Sequence, residues 1–181
     1  TLLQRPLAVI AIPDGATIDA ARAKQLRGWA MKGGMVLRFA GPRLAQNKTD
    51  NLSPTALRRG GRTLGGAMLW TKPAQLAPFE PDSPFANLTV TADVTVSKQV
   101  LAQPTLDLND KTWARLSDGT PLVTASRLGE GWLVLVHTTS NAAWTTLPLS
   151  GLFVNMLKRI VAMSEGVGGL GRQERPLPPI E

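Results

Sequence analysis

The stretch LAVIAI, Leu7 to Ile12, is an unbroken apolar run too short for a helix, and it predicts a buried strand of a parallel sheet. The turn Pro13-Asp14-Gly15 follows, and then the period changes. From Ile18 to Lys32, Ala23, Leu26, Trp29 and Ala30 share one helical face, while Arg22, Lys24, Arg27 and Lys32 avoid it. The pattern predicts a helix capped by Thr17 and stopped by Gly33 and Gly34. Met35 to Ala40, MVLRFA, reads as a second strand. Strand, helix and strand joined by short turns default to a right-handed crossover between adjacent parallel strands, so the first third of the chain is α/β.

Between about residues 42 and 85 the periodicity is lost, and nine prolines and glycines from Pro54 to Pro84 interrupt the chain. A long irregular insertion with at most short elements is expected there. Alternation returns in LTVTADVTV, where Leu88, Val90, Ala92, Val94 and Val96 predict one face of a half-buried strand. Three further strand-like runs lie between Thr112 and Thr138, separated by Asp118-Gly119 and Gly129-Glu130-Gly131. Turns of this kind join antiparallel neighbours. Phe153, Met156, Leu157, Ile160 and Ser164 then recur at helical spacing opposite Lys158 and Arg159, predicting a helix that covers the sheet. The pattern gives one domain over residues 1–165 and a Gly/Pro-rich flexible linker over 166–181.

Composition narrows the chemistry. The 181 residues are 43% hydrophobic and 18% charged, as in a globular protein. A net charge of +7 and an isoelectric point near 10.6 would suit an anionic partner. The basic residues are scattered, apart from Arg58, Arg59 and Arg62, which argues against a nucleic-acid stripe. No run reaches the roughly 18 to 20 apolar residues of a membrane span. The chain begins at Thr1 without a signal peptide, and it is read as a soluble piece of a longer protein. There is no cysteine and one histidine, which removes disulfides, a cysteine nucleophile and a conventional zinc site; no metal or other cofactor is expected.

The segment TWARLSDGTPLVTASRLGEGWLVLVHTTSNAAWTTLPLSGLFVNMLKRIV, with LRRGGRTLGGAMLW and SPFANLTV upstream, resembles the class I glutamine amidotransferase-like domain of bacterial Bat-type, aerotolerance-related membrane proteins that carry a C-terminal domain of unknown function. The resemblance spans Leu7 to about Ser164. It implies a flavodoxin-like three-layer sandwich with a mainly parallel sheet, antiparallel strands near the C-terminus, and a place on an inner-membrane protein, cytoplasmic or periplasmic side undefined. It does not imply amidotransferase chemistry, which needs a cysteine thiolate, a histidine base and an orienting carboxylate. No catalytic residue is therefore assigned.

Four places invite a functional reading, each beside a structural one. His137, after an apolar run, is either a general base or a ring that caps a central strand and bonds a loop backbone group. The structural reading is preferred. Gly61-Arg62-Thr63-Leu64-Gly65 has the form of a nucleophile elbow, but no strand-like run precedes it, and it reads as a turn. Arg58, Arg59 and Arg62 among flexible glycines form the candidate ligand contact, an anion cradle whose plain alternative is a solvated loop. Trp144, like Trp70, is either a pin that holds its loop down or an anchor for a partner. The expected function is a non-catalytic binding or scaffolding module whose partners are other domains or proteins of a membrane-associated assembly. The alternatives are a hydrolase pairing a Ser or Thr with His137 and an anion sensor built on the arginine loop.

Overall fold

Val9–Ile12 (β1) and Met35–Phe39 (β2) lie side by side and parallel, Val9 opposite Met35 and Ile12 opposite Arg38, with the helix Ala20–Met31 (α1) between them in the chain. The computed structural model describes residues 8–58 and 67–168. Helix α1 buries Leu26 and Ala30 and half-buries Ala23 and Trp29, the face marked out by the apolar spacing. Its N-cap is Asp19 rather than Thr17. The Asp19 carboxylate accepts the Arg22 N–H at 2.7 Å, a reach that Thr17, two residues further out, does not have.

Three more strands complete the main sheet: Thr112–Arg115 (β5), Pro121–Leu128 (β6) and Gly131–Val136 (β7), in the order β1-β2-β7-β6-β5. Strand β7 runs parallel to β2, while β6 is antiparallel to both β7 and β5, so β6 alone runs against the other four. The β6–β7 hairpin turns at Gly129 and Glu130, with Leu128 opposite Gly131 and Gly129 at φ 60°. A positive φ at the first of two loop residues is the signature of a type II′ turn, for which glycine is favoured. Gly131 answers a second demand: a Cβ there would fall on the carbonyl oxygens of Ala30 and Gly34, so the hairpin can seat against the end of α1 only without a side chain.

The two faces of the sheet carry separate cores. Val36 and Leu133 meet Leu26 and Ala30 of α1 on one face, whereas Met35, Leu37, Val134 and Val136 meet Leu152, Met156 and Ile160 on the other. The latter three belong to the helix Gly151–Gly168 (α3), whose Lys158 and Arg159 are exposed. Ser164 Oγ of α3 donates to Ala8 O at 2.8 Å, tying the helix to the start of β1. Helix α3 continues through the first three residues of the segment expected to be linker; residues 169–181 lie outside the described residues.

The insertion is less irregular than its prolines suggest. It holds the short helix Pro42–Gln46 (α2) and the strand Ala67–Gln75 (β3), which pairs antiparallel with Thr95–Val100 (β4) in a second sheet. Leu69 pairs Lys98 and Ala74 pairs Val96, so five steps on β3 span two on β4. Pro73 falls in this bulge, where its missing N–H interrupts no ladder. The alternating run from Leu88 is not one strand. A turn bonded from Val94 N to Thr91 O at 3.2 Å breaks it, and the ladder begins only at Thr95.

Candidate functional site

His137 follows β7 directly and is fully buried. Its side chain falls on the same face as Leu133 and Leu135, where Thr124, opposite Leu135 on β6, also points. Both ring nitrogens are engaged. Nδ1 lies 2.9 Å from Val100 O, and Nε2 lies 2.8 Å from Thr124 Oγ1. A carbonyl can only accept, so Nδ1 carries the proton and Nε2 accepts the threonine hydroxyl. The backbone joins in: His137 N donates to Leu122 O at 2.7 Å, and Val100 N donates to His137 O at 2.8 Å. The residue thereby ties the end of β7 to β6 and to the end of β4. Burial pushes its pKa down to about 4, against the opposing pull of the Val100 carbonyl, so the ring is neutral at pH 7. No carboxylate is among its partners. The carbonyl it bonds belongs to a strand, β4, and not to a loop.

Trp144 is half-buried and packs on a cluster containing Leu44, Val100 and Leu135. Its carbonyl accepts from Ser97 N at 2.7 Å and Lys98 N at 3.2 Å, and the Lys98 ammonium lies 5.8 Å from its ring centroid. These contacts fix the loop after His137 against β4. Arg58 is exposed, and its backbone N–H donates to Leu101 O at 2.8 Å. Arg59, Arg62 and the Gly61–Gly65 stretch lie outside the described residues. Trp70 falls in the β3 bulge. Among the described residues, no three His, Cys, Asp or Glu side chains gather as metal ligands would.

At the carboxyl ends of β1 and β2 the chain builds features that the sequence did not single out. Asp14, in the turn after β1, accepts the N–H groups of Gly41 and Leu44 at 2.9 Å and of Arg43 at 3.3 Å, and so caps α2 across the sheet edge. Beside it, a cleft of about 670 Å³ opens between α1 and the loop Asn47–Leu52. Arg38 of β2 forms part of its lining although only 4% exposed, and pairs through Nη1 with Asp50. Asp50 Oδ2 accepts from Ser53 Oγ at 2.5 Å, and Arg27 of α1 donates to Asn51 O, linking the two walls. One signal was visible in the sequence: a single charge inside the apolar run MVLRFA. Its partner, twelve residues on in a loop, was not.

These layers define an α/β protein with a five-stranded mixed sheet, a helix on each face and a small antiparallel second sheet. No family model and no curated protein matches the sequence. Solved structures do share the fold. A cytoplasmic protein from Salmonella typhimurium superposes with a TM-score of 0.64 at 10% identity, over 89% of this chain and 72% of its own. A second cytoplasmic protein, from Salmonella typhimurium LT2, gives 0.55 at 10% identity, over 91% and 72%. A beta-galactosidase from Bacillus circulans sp. alkalophilus gives 0.56 at 12% identity, over 87% of this chain and 22% of the galactosidase. At such identities the likeness is one of fold alone. Among the described residues, no helix is long and apolar enough to cross a membrane.

Proposed function

We propose that this chain is a non-catalytic binding or scaffolding module, amidotransferase-like and flavodoxin-like in architecture, within a larger membrane-anchored bacterial protein of the Bat-related type. The observation that carries the reading is the state of His137. The only histidine in a chain without cysteine is buried, neutral and saturated by a hydroxyl and a carbonyl, with no carboxylate among its hydrogen-bond partners. A general base must reach the proton it abstracts, and this one has no free nitrogen. Layering of helices on both faces of the sheet is compatible with a flavodoxin-like domain. The recurrence of the fold as 22% of a galactosidase chain supports the view that such a domain serves as one part of a longer polypeptide.

The test is incubation of the chain with glutamine and with activated ester and glycoside substrates. Release of ammonia, alcohol or sugar should not exceed that of a heat-killed control. Turnover that disappears in His137→Gln would instead establish the hydrolase alternative.

A further inference from the structure

We propose that the cleft over Arg38 binds a small organic anion, whose carboxylate or phosphate takes the guanidinium donors that Asp50 leaves unused. All five residues of β2 are buried, and four of them are apolar or packed in the cores. An arginine in such a strand is costly unless its donors are used. Asp50 uses one. In a purely structural pair the carboxylate would be expected to take two guanidinium N–H groups with both oxygens, but here Asp50 Oδ2 is committed to Ser53. Arg38 Nε is buried and, among the described residues, has no hydrogen-bond partner. Asp50 and Ser53 thus orient the guanidinium and leave Nε, beneath the floor of the cleft, as a donor for a second oxyanion that settles onto it.

The surroundings suit such a ligand. The cleft lies near the carboxyl ends of parallel strands, where open α/β sheets bind their ligands, and its volume of about 670 Å³ is that of a metabolite site. Lys24 and Arg27 stand along its α1 wall and Arg38 beneath it, three cations against two carboxylates, Asp19, which caps α1, and Asp50, which pairs with Arg38. Ala23, Leu52 and the half-exposed Met31 give the body of the ligand an apolar wall. The bond from Arg27 to Asn51 O links the two walls of the cleft.

The experiment is nuclear magnetic resonance of the full 181-residue chain, following the Arg38 Nε–Hε resonance while succinate and inorganic phosphate are added separately at constant ionic strength. At least one of the two should shift the resonance saturably at millimolar concentration or below, and the arm that does so tells carboxylate from phosphate. Arg38→Leu combined with Asp50→Leu removes both charges together, leaves no lone buried ion, and should abolish binding. Lys24→Glu, an exposed change that leaves the fold intact, should weaken it severalfold and more at low salt. An Arg38 resonance unmoved by either anion would mean that water alone satisfies Nε and would overturn the proposal. Saturable binding that survives the double substitution would overturn it equally. Should the double variant not fold, the wild-type titration and Lys24→Glu still decide.

Discussion

Acidification from about pH 7 to about pH 5 should destabilise this protein through His137. The ring is neutral and fully buried in the folded chain with a pKa of about 4, against 6.5 when the chain is unfolded. A base whose folded pKa is depressed holds its full contribution above the unfolded value and loses it as the pH falls through that value, until the folded pKa is passed and the loss levels off. A separation of about 2.5 pKa units corresponds to about 3 kcal/mol in full, of which about 2 kcal/mol is lost between about pH 7 and about pH 5. That is a large part of the 5 to 15 kcal/mol, roughly, that holds a domain folded. The assay is urea unfolding of the wild type and of His137→Gln over this range. Glutamine cannot titrate, so the difference in unfolding free energy isolates the ring, and it should fall by about 2 kcal/mol on acidification. A difference that stays flat would show that the ring accepts a proton in the folded state without penalty, and the buried clamp would be refuted.

Other residues give separate checks. Thr124→Val leaves His137 Nε2 buried without its donor, and should cost about 1 to 3 kcal/mol in chemical unfolding. Asp14→Ala removes the acceptor of three N–H groups at the start of α2 and should lower stability by about 0.5 to 2 kcal/mol, with exchange of the Gly41 and Leu44 amides accelerated. Phe85→Ala, in a fully buried position between Phe79 and Trp113, should cost about 3 to 5 kcal/mol by the same measure. Gly131→Ala should be more damaging than its size suggests, visible as a drop in melting temperature, because the added methyl meets backbone carbonyls that cannot swing aside.

What could be read from the sequence was local. The β1-α1-β2 unit was legible because each element shows its own period and glycines mark the stop, and the β6–β7 hairpin because Gly129 and Gly131 meet turn and packing demands at fixed positions. The strand β3 was hidden: Pro73 signals a break, and only the partner strand shows that the break is a bulge. The alternation from Leu88 to Val96 survives in burial at Leu88, Val90, Val94 and Val96 but fails at Ala92, which is exposed where the turn bonded from Val94 N to Thr91 O precedes the ladder, and periodicity cannot tell a pleat from such a turn. The lack of a thiol could be read directly. The environment of His137 could not, since Thr124 and Val100 come from other strands, 13 and 37 residues away. The arginine loop drew attention because its charges are adjacent in sequence, whereas Arg38, Arg27 and Lys24 share one cleft only through the fold.

Whether His137 is a clamp or a base is read directly by ¹⁵N resonance of its ring. At pH 7 the ring should be a single neutral tautomer with the proton on Nδ1, slow to exchange with water, and it should titrate only near pH 4. A ring that titrates near 6.5, or whose tautomers interconvert in rapid exchange with solvent, would contradict the clamp.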